Sequence, residues 1–132
     1  MDSVRDERGQ AVLAVVLALG IAAVAIVGLR DAQERIVLGA RAQRAGEAAV
    51  EAAAQSVADV YAARPSGAKE IVLDPRVRES ARSAAEQLAQ ENGSRGVERV
   101  ELLCVGDRIE ARLTLNGHSH HAAFRAPECS PH

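Results

Sequence analysis

The distribution of charge along the chain is uneven from the start. Ala11 to Leu29 is a run of 19 residues with no charge and no proline, set between Arg5-Asp6-Glu7-Arg8 and Arg30-Asp31. At about 1.5 Å per helical residue the run measures roughly 28 Å, close to the roughly 30 Å hydrocarbon core of a bilayer. A helix apolar on every side needs an apolar medium, and the rest of the chain has too few large apolar residues to surround it. The pattern therefore predicts a transmembrane helix over 11–29. A cleaved secretory signal would have a shorter apolar region ending at small residues, whereas this run passes straight into Arg30-Asp31, as an uncleaved anchor does. Within it Ala11, Ala14, Ala18, Ala22 and Ala25 recur at steps of three and four, a stripe of small side chains suited to helix packing.

Beyond Arg30 the residues are good helix formers, and the helix is expected to continue to Ala63. Ile36, Gly39, Gln43, Gly46, Val50, Ala53, Val57 and Val60 form a heptad-like seam. Val50, Val57 and Tyr61 are placed to cover a head, while the stretch from Gly39 to Gly46 suits close contact with neighbouring helices. Pro65-Ser66-Gly67 ends the helix. The segment from Glu70 to Leu73 reads as a short strand. Asp74 and Pro75 then cap and open a second helix, which Asn92-Gly93 closes; its apolar face is Val77, Ala81, Ala84, Ala85 and Leu88.

Gly106-Asp107 and Asn116-Gly117 read as two-residue hairpin loops, of type II′ and type I′. They pair Cys104 with Ile109, Leu102 with Ala111 and Val100 with Leu113, then Leu113 with His120, Ala111 with Ala122 and Ile109 with Phe124. All but His120 are apolar and share one face, so the meander has one buried side. The expected fold is α+β: a cytoplasmic leader (1–10), a transmembrane helix (11–29), its helical continuation (30–63) and a small head (64–132). In the head one further helix packs on a three- to four-stranded, mostly antiparallel sheet.

Composition narrows the functional classes. With 132 residues the chain has room for one small domain and little more, and a net charge of −2 gives no broad positive field for nucleic acid. Tyr61 and Phe124 are the only aromatic residues, so the head lacks the buried area that rings usually supply. No G-x-S-x-G, H-E-x-x-H or phosphate-loop motif is present, and the chain reads as a non-enzyme without a cofactor or small-molecule substrate. His118, His120, His121 and His132 lack a ligand spacing and read as part of a polar edge strand, not a metal site.

The order of these parts, with Glu7-Arg8-Gly9-Gln10-Ala11 leading into the apolar helix and an Ala-rich helix ending in Glu91-Asn92-Gly93 before alternating strands, resembles the TadE/TadG-like proteins of tight-adherence (Flp-type, type IVb) pilus systems. The resemblance implies a minor pilin, or a pseudopilin-like component of a related secretion system, with its leader in the cytoplasm and its head outside the cell membrane. Its partners would be pilin-like subunits or assembly-platform proteins, and a prepilin peptidase cutting after Gly9 to leave Gln10 first. Ala14 stands where cleaved pilins often carry Glu at the fifth mature position. Counting Arg residues alone would place the head inside, and the resemblance overrules that count. A competing expectation is a single-span, membrane-anchored binding or chaperone-like module that enters no filament.

If the head lies outside, Cys104 and Cys129 meet oxidising conditions. Cys104 is two strands from Phe124, roughly 10 Å away, and residues 125–129 are long enough to fold back across that gap, so a Cys104–Cys129 disulfide is expected. The alternative is an apolar filler at Cys104 and a free thiol at Cys129.

Overall fold

Helix α1 runs from Ser3 to Ala63 without a proline to break it. The computed structural model describes residues 3–130, and for residues 3–8 the backbone alone. His132 lies outside the described residues, as do Met1 and Asp2 of the leader. Side-chain pairs one turn apart decorate the polar positions of α1: Asp31 with Arg35 at 3.0 Å, Gln43 with Glu47 at 2.9 Å and Gln55 with Asp59 at 2.8 Å. The helix stops where Pro65 enters a 3-10 turn over Pro65–Gly67, with the Arg64 N–H donating to the Tyr61 carbonyl.

The chain divides into two compact units, Met1–Gly39 and Ala40–His132. The described part of the first is the helix alone. The second holds a closed core, and it begins inside α1, so that Ala45, Ala49, Val50, Ala53, Ala54 and Val57 are core residues of the head.

Helix α2 (Ala68–Leu73) occupies the segment read from sequence as a strand. The segment pairs with none of the described strands; Ile71 and Val72 reach the core from one short helix while Leu73 points out at 74% exposure. The head accordingly has two helices after α1, not one. Helix α3 (Pro75–Glu91) starts as expected: the Asp74 carboxylate accepts from the Arg76 N–H at 2.8 Å, and Pro75 occupies the first helical position. It ends in a Schellman motif, with Ser94 N–H donating to the Ala89 carbonyl and Gly93 N–H to the Gln90 carbonyl, Gly93 having φ +76°. Val77, Ala81, Ala85 and Ala89 form its buried face.

Strands β1 (Val97–Val105), β2 (Arg108–Leu115) and β3 (His118–Arg125) form a three-stranded antiparallel meander in the order β1-β2-β3. The register is the one the turns dictate, including Cys104 with Ile109 and Ile109 with Phe124. Gly106 (φ +58°) precedes Asp107, which stays at negative φ, whereas Asn116 and Gly117 are both positive (+52° and +78°), as type II′ and type I′ turns require. A bulge between Val97 and Arg99 adds a residue to β1. Val97 and Val100 are an odd number of positions apart and would otherwise face opposite sides; the bulge turns both inward, at 5% and 7% exposure.

Eleven of the 23 buried apolar residues of the described core are alanines. Small side chains bring α1 and α3 close to their neighbours, and Gly46 shows how close. A Cβ placed there would overlap the imidazole of His120, which is 6% exposed. The sequence reading gave Gly39–Gly46 to neighbouring helices and His120 to a polar edge; within this chain Gly46 instead receives His120.

Candidate functional site

The feature that separates this chain from an ordinary small domain is the apolar stretch of α1. The helix contains an 18-residue window of mean hydropathy 3.0, none of it buried, and it is the one helix among the described residues long and apolar enough to cross a membrane. From Val12 to Leu29 its Val, Leu and Ile side chains are 57–74% exposed. Exposing that many in one contiguous surface is unfavourable in water, at about 25 cal/mol per Å² of apolar area, and neutral or favourable in lipid. The observed state is that of a segment built for an apolar surrounding.

The surface of this stretch has relief. Leu13, Val16, Leu17, Gly20, Ile21 and Val24, with Ala25 also contributing, line a shallow apolar groove over the missing side chain of Gly20. A Cβ added at Gly20 would meet nothing within 4 Å. Of the alanine stripe named from the sequence, only Ala25 belongs to the groove; Ala11, Ala14, Ala18 and Ala22 lie on another face, roughly 130° round an ideal helix. A repeat of small residues is visible in the sequence, whereas one glycine framed by large side chains is not, and Gly20 is such a position. Gly9 and Gln10 are both exposed on the first turns of α1.

In the head, Cys104 and Cys129 are joined by a disulfide, with Cα atoms 5.2 Å apart. The chain leaves β3 at Arg125, the Ala126 N–H donates to the Asp107 carbonyl at 2.7 Å, and a 3-10 turn over Pro127–Cys129 completes the return to β1. The Tyr61 hydroxyl donates a short hydrogen bond to the Glu128 carboxylate, and its ring meets Phe124 at a centroid distance of 5.7 Å. The Glu128 hydrogen bond, then partial burial, then the carboxylate's charge hold the Tyr61 phenol above its ordinary pKa, because each disfavours a phenolate.

The outer face of the sheet is charged and internally paired. Arg112 meets Glu110, Arg99 lies 3.6 Å from Glu101, and Arg125 lies 3.4 Å from Asp107. Such surface pairs add little to stability and mainly keep the surface wetted. Of the three described histidines, His118 and His121 are exposed and His120 is buried. Among the described residues no group of three or more His, Cys, Asp or Glu side chains is placed to hold a metal ion.

No family model matches the chain, and no curated protein or solved structure matches it. Its function is therefore argued from this geometry.

Proposed function

We propose that the chain is a single-span membrane-anchored subunit of the minor-pilin or pilus-assembly kind, similar to TadE/TadG-like proteins, that works by helix packing. One observation carries the reading: the apolar stretch of α1 is wholly uncovered, while the head has a core of its own that does not use it. A segment of that kind is anchored in lipid and remains available to other helices, and the Gly20 groove and the alanine stripe offer two faces on which they can pack.

The Cys104–Cys129 bridge favours a head on the oxidising side of the membrane, with residues 1–10 in the cytoplasm. It opposes the Arg count and agrees with the orientation implied by the resemblance. Exposure of Gly9 and Gln10 leaves that bond open to a prepilin peptidase. Ala14 favours a second reading, an anchored module that stays in the bilayer. It supplies no carboxylate within the apolar helix to meet a neighbour's terminal amine.

Sheared surface filaments decide between the two. A filament subunit co-purifies with them in amounts proportional to the major subunit; a resident module stays with the membrane pellet. Sequencing the N-terminus of the purified protein reads the processing state directly, a mature chain beginning at Gln10. Recovery of the full-length protein in the detergent-free soluble fraction would defeat both readings.

A further inference from the structure

We propose that the C-terminal segment 126–130 is a redox-operated strap, which lies closed across the meander when Cys104 and Cys129 are joined and detaches as a unit when they are reduced. It pairs with no strand, yet Ala126 and Cys129 are 0% and 6% exposed. It packs against α2, the Pro65–Gly67 turn and β2, and so crosses from the end of β3 back to β1.

Among the links that pin it are the disulfide, the Ala126–Asp107 backbone hydrogen bond, and the hydrogen bond from Tyr61 to Glu128. Two further bonds, Cys129 N–H to the Ala126 carbonyl and Ser130 N–H to the Pro127 carbonyl, are internal to the strap and travel with it. The three strands are held to one another by ladders that make no use of the tail. Without the covalent link, the packing of Ala126 and Cys129 and non-ladder hydrogen bonds must hold a segment whose ordering costs conformational entropy at every residue. Local opening of such a weakly bonded segment is far easier than opening a ladder.

Closure forms the Sγ–Sγ bond between Cys104 and Cys129. The two thiols lose two protons, and two electrons pass to the disulfide of an exchange partner, which becomes a dithiol. Reopening is the reverse, with a dithiol as reductant. Cys104 is partly exposed and gives such a partner its access, while Cys129 is covered. The strap thereby makes completion of the head conditional on a compartment that holds a disulfide donor. This goes beyond the proposed role in assembly and does not depend on whether the chain enters a filament.

The test is amide hydrogen exchange on the full chain in detergent micelles, as isolated and after reduction with dithiothreitol. Reduction should speed exchange at Ala126 and Cys129 roughly tenfold or more and leave the ladder amides of β2 and β3 protected. Ultraviolet titration of the single tyrosine provides a second reading. Tyr61 should titrate closer to an ordinary phenol once reduction removes Glu128 from its side. A Cys104→Ser/Cys129→Ser variant should reproduce the reduced state. Glu128→Gln in the oxidised protein should lower the Tyr61 titration without freeing Ala126 and Cys129. Unchanged exchange at those two residues after reduction overturns the proposal. So does loss of protection throughout the meander, which would make the bridge a staple of the whole head.

Discussion

Within one helix the two units use residue size in opposite ways. Before Gly39 the large side chains, from Val12 to Leu38, stand exposed; after Ala45 the buried positions are mostly alanine, with Ala45, Ala49 and Ala53 at 0% exposure. A soluble protein would do the reverse, because burying a Leu or Ile stabilises by about 1.5–3 kcal/mol and burying an Ala by far less. The contrast fits a chain that meets two solvents, as the proposed anchor requires. Size is displayed where lipid can wet it, and withheld where another backbone must come close.

The sharpest way to break the comparison is to put a charge in the first unit. Leu17→Arg, at the middle of the apolar run, should oppose insertion by about 3 kcal/mol and move protein from the membrane pellet to the soluble or degraded fraction on alkaline extraction. With the head on the oxidising side, as proposed, its disulfide should be lost as well, which thiol labelling reads. An Arg at exposed Gln55 in the second unit should leave the fractionation unchanged.

The next largest effect lies where the second unit has least room. Gly46→Ala should destabilise the head by about 2 kcal/mol, because the new methyl group and the His120 ring compete for one space. Adding His120→Ala should restore much of that loss. Thermal unfolding followed by circular dichroism checks both, and a cycle with no coupling between the two substitutions would mean that the ring moves aside freely.

What could be read in advance follows the range of the cause. The hairpin register, the α3 caps and the end of α1 depend on residues next to one another, such as Asn116-Gly117, Asp74-Pro75 and Pro65, and each came out as the local chemistry dictates. The apolar run was legible for the same reason. Misread or unseen features depend on residues far apart: Ile71 and Val72 reach the core from a helix that packs on β1 without pairing with it, Gly46 was reserved by a histidine 74 positions on, and the β1 bulge reconciles Val97 with Val100 only once a core exists. At the candidate site the sequence supplied the span and the reach from Cys104 to Cys129. It missed the Gly20 groove, whose depth comes from the large neighbours and not from any repeated small residue.

One substitution made twice then isolates the two solvents. Ala53→Leu in the head should cost about 1–3 kcal/mol by overpacking a site with no free surface. Ala22→Leu in the apolar run should leave the head's stability unchanged and favour insertion by about 0.5 kcal/mol. Equal penalties at the two positions would mean that the first unit also carries a packed partner in the isolated protein.

The smallest effect concerns pH and is confined to the head. Tyr61 is held above its ordinary pKa by the hydrogen bond it donates to Glu128, so the neutral phenol is the form that the folded state prefers. A group whose folded pKa is raised contributes its stability fully below the unfolded value, near 10 for tyrosine, and loses it as pH rises through the folded value. Thermal midpoints of the head should therefore be insensitive to this group from neutral pH to about 9 and should fall above about 10. Tyr61→Phe should remove that alkaline component, at the expense of one partly exposed hydrogen bond, while keeping the ring contact with Phe124 at its 5.7 Å spacing. Disulfide exchange does not confound the comparison, since no free cysteine is present among the described residues to start it. An alkaline slope that survives in Tyr61→Phe would assign the effect to another group and detach the phenol from the strap.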